Sequence, residues 1–296
     1  MTTPEEMAER IAREVEKKGG RTYYVGGFVR DRVLGIENKD VDIEVHGVPA
    51  GVLEQILDGL GERTQMGASF GVYGLKHLDL DIALPRKEEA TGRGHRDFAV
   101  FTDPWLGTEK AARRRDFTMN ALMEDVGTGE IIDHFGGRED AKKGILRHVD
   151  SKSFPEDPLR VLRCAQFAAR FRFSVAPETV ALCKQMDLRA LPRERVMGEL
   201  DKALRKAPRP SVFFEVLREM DQLDCWFPEV KALIGVPQDP DHHPEGDVWN
   251  HTMAVLDAAA GTDMELPILL AAFGPMRRGE ICALQSENIS GNIVHV

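Results

Sequence analysis

The most constraining feature of the chain is residues 24–44, where a glycine pair precedes a run of alternating acidic and apolar residues. Gly26 and Gly27 follow a short apolar run, and residues 28–34 have the pattern of a short helix. Residues 39–45 then alternate with a period of two, which is typical of a strand with one buried face. We expect Asp40 and Asp42 to leave the same face of that strand, where two carboxylates can share hard cations such as Mg²⁺.

The glycine pair adds a second chemical feature beside these carboxylates. Glycine lets backbone N–H groups approach a phosphate, and the following helix directs its positive end to the same place. A phosphate site beside a metal-binding carboxylate pair is the equipment of phosphoryl or nucleotidyl transfer. Each feature alone has a simpler interpretation, because Gly-Gly is common in turns and acidic alternation is common on the solvent face of a sheet.

Together with Arg30 and Asp31, the pattern Gly-Gly-x-Val-Arg-Asp followed by Asp-x-Asp resembles the signature of class II tRNA nucleotidyltransferases and bacterial poly(A) polymerases, in the polymerase-β-like superfamily. The resemblance implies an α+β fold: a polymerase-β-like nucleotidyltransferase head with a small mixed sheet, then an all-helical neck and partial body. The implied divisions are a catalytic head at 1–150, a nucleobase-binding neck at 151–235, a truncated HD-like body segment at 236–265 and a foreign tail at 266–296.

A second motif in the head is residues 111–122, AARRRDFTMNAL. Arginine suits a triphosphate, since its planar guanidinium donates paired hydrogen bonds and stays charged. The motif is similar to the one with which the family holds the ribose and phosphates of the incoming nucleotide. The resemblance implies a set of nucleotide-binding residues in the head: Gly26, Gly27, Arg30, Arg114, Arg115, Asp116 and Asn120. We interpret Arg113 as a solvated flanking residue.

Residues 70–75 and 78–84 are predicted to form a hairpin, and Asp81 lies in its second strand. The segment Asp-Ile-Ala-Leu-Pro-Arg around Asp81 is similar to a family strand with an acidic residue at that place. Asp81 is therefore either a third catalytic carboxylate or a solvent-facing strand residue. Residues 86–107, rich in glycine and charge, predict a mobile loop.

The helical part is predicted to begin at residues 153–160, where Glu156, Asp157 and Pro158 are typical of a helix start. Asp157 and Arg160 lie three residues apart, so on a helix they share a face and can form a salt bridge. Glu-Asp-Pro-Leu-Arg resembles the EDxxR motif of the family, which implies that Asp157 and Arg160 contact the nucleobase and select C and A over U and G. Glu156 is expected to brace the arginine, and Arg163 to face the same pocket.

Composition limits the remaining possibilities. The formal net charge is −10, from 39 basic and 49 acidic residues, which disfavours a protein coated in positive charge but allows a basic groove. The longest apolar stretch, 266–273, is too short to span a bilayer, and the N-terminus has no signal-peptide core. Four cysteines without C-x-x-C pairing predict a reduced, cytoplasmic protein.

The family pattern changes towards the C-terminus. His251 is placed like the first metal ligand of an HD phosphohydrolase domain, but no His-Asp dipeptide follows it, so we expect no phosphohydrolase activity. Residues from 266 onwards resemble a segment of tyrosine recombinases, with Arg277 at the place of the first catalytic arginine. These observations favour a fusion or truncated product.

The resemblance implies Mg²⁺-dependent transfer of CMP and AMP from CTP and ATP to the 3′ end of tRNA, with Asp40 and Asp42 holding the metal and Asp81 beside them. A bacterial poly(A) polymerase, or an enzyme that adds only CC or only A, is the alternative within the same class. A non-catalytic RNA- or nucleotide-binding remnant is the alternative of another class.

Overall fold

The computed structural model describes residues 2–65, 71–90, 98–239, 241–242, 244–261, 289–290 and 293–294. The chain divides into two compact units, Met1–Glu156 and Asp157–Val296. The first unit combines a mixed sheet with helices, and the second is mainly helical in its described part, so the α+β class is confirmed. The finer division into head, neck, body segment and tail stays a prediction.

One mixed sheet forms the centre of the first unit. Its seven strands are β1 (Arg21–Val25), β2 (Val41–His46), β3 (Arg63–Gln65), β4 (Val72–Leu75), β5 (Leu80–Ala83), β8 (Met123–Asp125) and β9 (Ile131–Ile132). Strands β6 (Arg86–Ala90) and β7 (Phe98–Thr102) form a separate two-stranded sheet. The order in the sheet is β3-β4-β5-β2-β1-β8-β9. Strands β2 and β5 run parallel, and the other neighbours are antiparallel. A further short strand, β10 (Ile145–Leu146), follows in the chain.

Five described helices accompany this sheet: α1 (Pro4–Glu16), α2 (Gly27–Val33), α3 (Ala50–Leu60), α4 (Thr108–Arg113) and α5 (Gly137–Lys143). Two 3₁₀ turns cover Thr118–Asn120 and Phe154–Glu156. Helix α1 starts at a capping box, in which the Thr3 hydroxyl accepts from the Glu6 backbone N–H while the Glu6 carboxylate accepts from the Thr3 N–H.

The period-two pattern of β2 gives the sheet two chemically different faces. Val41, Ile43 and Val45 are buried in one apolar core with residues of α1, α3 and β5. Because side chains alternate along a strand, Asp42, Glu44 and His46 leave the opposite face. The burial that fixes the register of β2 therefore also fixes the acidic side chains on one side of the sheet.

One local prediction was wrong, and two helices were missed. The sequence predicted a mobile loop at residues 86–107, but this segment contains strands β6 and β7, which pair antiparallel. Phe98–Thr102 is rich in β-forming residues, but the glycine and charged residues before it led to the loop prediction. Residues 91–97 lie outside the described part. Helices α4 and α5 were not predicted as helices.

The second unit contains α6 (Leu159–Phe171), α7 (Pro177–Cys183), α8 (Arg193–Lys206), α9 (Ser211–Glu219), α10 (Pro228–Lys231) and α11 (Val248–Ala259). Short strands cover β11 (Ser174–Val175), β12 (Ile289–Ser290) and β13 (Ile293–Val294). Helix α6 packs against α8 and α9. The backbone N–H of Ser211 donates to the carboxylate of Asp257 at 2.9 Å, so a residue of α11 caps α9.

Two expectations concern the C-terminal part. His251 lies in α11 with its Nδ1 against the carboxylate of Glu245, and the described residues hold no group of three or more His, Cys, Asp or Glu side chains arranged for a metal. The recombinase-like tail, including Arg277, lies outside the described residues apart from β12 and β13. No helix within the described ranges has the length and apolarity needed to cross a membrane.

Gly137 provides a test of this packing, because a Cβ there would lie 2.1 Å from the backbone oxygen of Thr118. We expect Gly137→Ala to lower the free energy of unfolding by about 1–3 kcal/mol, since backbone atoms cannot move aside cheaply. Gly59→Ala in α3 is the matched control: a Cβ there meets nothing within 4 Å. Denaturant unfolding should show Gly59→Ala within about 1 kcal/mol of the parent, on the stabilising side. Equal effects of the two substitutions would contradict the packing.

Candidate active site

Two carboxylates face each other across the parallel strand pair. Asp42 in β2 is the register partner of Asp81 in β5. Partners on neighbouring strands lie about 4.8 Å apart and project to the same face of the sheet. Asp40 immediately precedes β2 and is exposed, with its backbone N–H donating to the side-chain oxygen of Asn38 at 3.0 Å. The three predicted catalytic carboxylates are thus gathered around the start of β2.

The pKa of Asp42 reports how unfavourable this gathering is. Burial raises the pKa of Asp42 most, the charge of Asp81 raises it further, Arg115 lowers it and Asp40 raises it, which brings it to about 6 from the ordinary 3.8. Asp81 is therefore a stronger electrostatic partner of Asp42 than Asp40 is. Asp42 is partly buried, while Asp40 and Asp81 are exposed. Crowded negative charge at a partly buried carboxylate is relieved by protonation or by a cation.

The donor set fits a hard divalent cation. All three groups offer carboxylate oxygens, which such cations prefer. The negative charge of Asp81 raises the pKa of Asp42, so positive charge nearby does not fully compensate the two carboxylates. Among the described residues no ready-made cluster of three ligands exists. The carboxylates would therefore hold a cation together with water or substrate oxygens, as Mg²⁺ commonly is in phosphate-transferring sites.

Gly26 lies directly beside the carboxylates. Its backbone has φ +67°, in the left-handed region that favours glycine, and it precedes the first turn of α2. A Cβ at this position would lie 3.0 Å from Nη1 of Arg115 and 3.8 Å from Oδ2 of Asp42. A side chain at this position would be strained by the positive φ and would lie close to the Arg115 guanidinium. The structure thus brings Gly26, Asp42 and Arg115 together.

Three other predicted nucleotide-binding residues form a buried network. The Arg30 side chain donates through Nε to Asp31 at 2.7 Å and through Nη1 to Asn120 at 3.0 Å. The Asn120 amide donates to Asp116 at 2.9 Å. Arg30, Asp116 and Asn120 are only 5%, 7% and 5% exposed. These side chains join α2 to the segment that carries Arg114 and Arg115.

The consecutive arginines after Ala112 have different surroundings. Arg113 is exposed, as expected of a solvated flanking residue, and it pairs with Glu109 and Asp150 and lies over the ring of Phe135. Arg114 donates to the backbone oxygen of Arg86 at 3.4 Å. Arg115 follows α4 and reaches Gly26, as described above.

Sequence reasoning did not single out Glu44 and His46, which share the face of Asp42. Both are 7% exposed, and His46 Nε2 lies 2.8 Å from Glu44 Oε1. The hydrogen bond from His46 and the charges of Arg115 and Arg114 hold the pKa of Glu44 below its usual value, although burial, the largest effect, raises it. The signal was available in the sequence, since the alternation that selected Asp40 and Asp42 continues through both residues.

The predicted base-reading residues lie at the junction of the units and in α6. Glu156 ends the 3₁₀ turn of the first unit. In the second unit, Asp157 Oδ1 accepts from the backbone N–H of Leu159 at 3.1 Å, and Asp157 Oδ2 accepts from Arg195 of α8 at 2.9 Å. Asp157 thus precedes α6, and its side chain pairs with Arg195 of α8. Arg163 lies over the ring of Phe167, 5.1 Å from its centroid.

Comparison with known proteins agrees with this geometry. The family described as Poly A polymerase head domain matches residues 22–147, which include the sheet, the carboxylates and both glycine and arginine motifs. A second family, described as the probable RNA and SrmB-binding site of polymerase A, matches residues 172–234. The part of the chain that carries the site, residues 22–147, therefore belongs to the family of poly(A) polymerase head domains.

Individual members of this family are similar over most of the chain. The Multifunctional CCA protein of Chromobacterium violaceum is 45% identical over 257 residues, which are 85% of this chain and 61% of the relative. A solved CCA-adding enzyme in its apo form I has a TM-score of 0.65 and 27% identity, covering 92% of this chain and 59% of that one. The Bacillus stearothermophilus CCA-adding enzyme in complex with CTP has a TM-score of 0.63 and 29% identity, covering 75% and 53%. The chain spans about three fifths of the length of the curated relatives it matches.

The raised pKa of Asp42 generates a stability prediction. Its folded pKa of about 6 exceeds the ordinary 3.8, so ionised Asp42 destabilises the folded state fully above pH 6 and not at all below the ordinary value. In EDTA at about pH 8, Asp42→Asn should therefore raise the free energy of unfolding by about 2 kcal/mol.

The gain from Asp42→Asn should shrink as the pH falls from about 6 towards 3.8. Denaturant unfolding at several pH values measures it, and Asp58→Asn in α3 is the control, because Asp58 is exposed and pairs with Arg63. A destabilised Asp42→Asn protein at high pH would contradict the electrostatic account of the site.

Proposed function

We propose that this protein transfers CMP and AMP from CTP and ATP to the 3′ end of tRNA and releases pyrophosphate. The observation that carries the proposal is the register of Asp42 with Asp81 beside Gly26 and Arg115, since it combines a cation site with a site for phosphates. The names of the similar proteins, a Multifunctional CCA protein and a CCA-adding enzyme in complex with CTP, support addition of a CCA end with CTP as a substrate.

Nucleotidyltransferases of this family generally depend on a divalent cation. We propose Mg²⁺, held by Asp40 and Asp42 with Asp81 beside them, because three carboxylates in a site open to phosphate oxygens suit its preference for oxygen ligands. When bound, Mg²⁺ supplies activation of the RNA 3′-hydroxyl and charge stabilisation of the leaving pyrophosphate. The carboxylates would hold this cation beside the turn at Gly26 and Gly27.

The other head residues bind and orient the nucleotide. Arg115 and Arg114 contribute positive charge for the triphosphate, and the open backbone at Gly26 and Gly27 leaves room for its oxygens. Arg30, Asp116 and Asn120 are buried and bonded to one another, so their task in this proposal is to hold α2 against the arginine segment.

We propose that Asp157 and Arg160 of the second unit choose the base, and that Arg163 of α6 and the preceding residue in the chain, Glu156, support them. Asp157 is fixed by the Leu159 N–H and by Arg195, which would leave its carboxylate in one orientation for a base amine. A tRNA-processing role also supports a cytoplasmic location.

A product-length assay tests the proposal. Purified protein is incubated with Mg²⁺, CTP, ATP and tRNA transcripts that lack the last one, two or three nucleotides of the CCA end. Restoration of the complete end on all transcripts is the expected result. Long adenosine tails would favour a poly(A) polymerase, and extension of only one transcript would favour an enzyme that adds only CC or only A. Tight CTP binding without any product would favour a non-catalytic binding protein.

Substitution of Asp42 gives the residue-level prediction. Asp42→Ala should lower incorporation of labelled CTP and ATP by at least about a thousandfold, because the cation loses its central ligand, while CTP binding weakens much less. Asp58→Ala removes an exposed carboxylate of the same unit, paired with Arg63, and should leave incorporation unchanged. Normal turnover by Asp42→Ala would contradict the assignment.

A further inference from the structure

A cavity of about 400 Å³ lies in the first unit, between α1 and the ends of β1 and β8. Its volume falls in the range of small-molecule sites, roughly 300–1,000 Å³. The helix lines it with side chains that share one face, since they are four and three residues apart: Glu9, Arg13 and Glu16. The polar residues that line it from the sheet are Arg21, Thr22 and Asp125.

The side chain of Thr22 points away from the candidate active site. Thr22 in β1 is the register partner of Val45 in β2, and such partners project to the same face of a sheet. Val45 is buried in the main apolar core with residues of α1, whereas Asp42 leaves the opposite face. The cavity between Thr22 and α1 is therefore separate from the proposed nucleotide site.

The hydroxyl of Thr22 is a buried polar group that the fold leaves unsatisfied. Thr22 is 3% exposed, and its Oγ1 has no hydrogen-bond partner among the described residues. A hydroxyl buried without a partner is unfavourable, and most buried polar atoms of proteins bond to protein groups or ordered water. Because the side chain projects toward α1, its hydroxyl offers one donor and one acceptor to a molecule in the cavity.

The charged groups of the lining are only loosely paired with one another. Arg13 Nη1 lies 3.7 Å from Glu9 Oε2, and Arg21 Nη1 lies 3.9 Å from Glu16 Oε1. Arg21 Nη1 also lies 3.6 Å from Asp125 Oδ2. All three distances are longer than a hydrogen bond, so the guanidinium groups and the glutamates keep hydrogen-bonding capacity for a ligand.

The mixed charge of the lining selects the chemical class of that ligand. Three carboxylates and two guanidinium groups line the cavity, so a simple cation meets the arginines and a simple anion meets the acids. A zwitterion avoids both conflicts, because each of its ends finds an opposite charge. We propose that the cavity binds a free α-amino acid, whose carboxylate faces the two arginines, whose ammonium group faces the glutamates of α1, and which bonds to the Thr22 hydroxyl.

Saturation-transfer NMR of the full chain with an equimolar mixture of the proteinogenic L-amino acids tests the inference. We expect transfer to at least one of them, and calorimetric titration of that amino acid then gives its Kd. Saturating CTP with Mg²⁺ should leave this Kd unchanged, because the cavity lies on the other face of the sheet. Absence of transfer to every amino acid, or displacement by CTP, would overturn the inference. Neither result bears on the proposed function, which depends on the other face.

Thr22→Val removes the hydroxyl and keeps the branched shape of the side chain. We expect it to weaken binding of the amino acid about tenfold, as the loss of one hydrogen bond to a charged group would. It should not lower Tm, since no described residue bonds to the hydroxyl. Unchanged binding by this variant would overturn the inference.

The matched control is Thr118→Val. Thr118 is equally buried, at 2% exposed, but its hydroxyl donates to Asp140 at 2.8 Å. This variant should lower Tm, because it loses that hydrogen bond, and leave binding of the amino acid within about twofold of the parent. Equal weakening by the two variants would mean that Thr22→Val acts only through stability, and would overturn the inference.

Two derivatives of the bound amino acid test the zwitterion itself. The N-acetyl derivative lacks the ammonium charge, and the amide lacks the carboxylate charge. Each should bind at least about tenfold more weakly than the amino acid, because one of its ends no longer finds an opposite charge. A derivative that binds as tightly as the amino acid would contradict the proposed class of ligand.

Discussion

The parallel pairing of β2 with β5 is the constraint on which the site depends. It sets Asp42 opposite Asp81, and the alternation of side chains sends both to the face away from the main apolar core. A shift of register by one residue would bury Asp42 and expose Ile43, at the cost of a buried charge and a lost core residue. Core burial therefore enforces a crowding of negative charge that raises the pKa of Asp42 to about 6.

The positive side of the site depends on buried polar contacts as well as on apolar packing of Ala112 and Ala121. Arg30 connects α2 to Asn120, and Asn120 connects to Asp116, which precedes Phe117 and follows Arg115, the arginine beside Gly26 and Asp42. Low exposure makes each of these hydrogen bonds expensive to lose, because a partner left unpaired would stay buried. The network thus couples the glycine turn, which needs the conformation of Gly26, to the segment that carries Arg115.

The sequence was informative where one signal dominated. The apolar alternation of β2 and the hairpin of β4 and β5 were each predicted from local pattern, and the motif order indicated the family. It was less informative where signals competed: glycine and charge around residues 91–97 concealed the strand at Phe98–Thr102. Long-range partners were beyond it, since no local rule connects Asp157 to Arg195 or Arg30 to Asn120. The position of Asp81 beside Asp42 also could not be predicted from the sequence, because it depends on the register of β2 with β5.

The central claim is that Asp42 and Asp81 together hold a divalent cation beside the Gly26 turn. Anomalous diffraction from crystals grown with Mn²⁺ and CTP measures this directly, because Mn²⁺ replaces Mg²⁺ and scatters anomalously. The account predicts a peak within coordination distance of the Asp42 carboxylate, on the Asp81 side, with the triphosphate between it and Arg115. A Mn²⁺ peak elsewhere, with ordered CTP and no metal at Asp42, would contradict it.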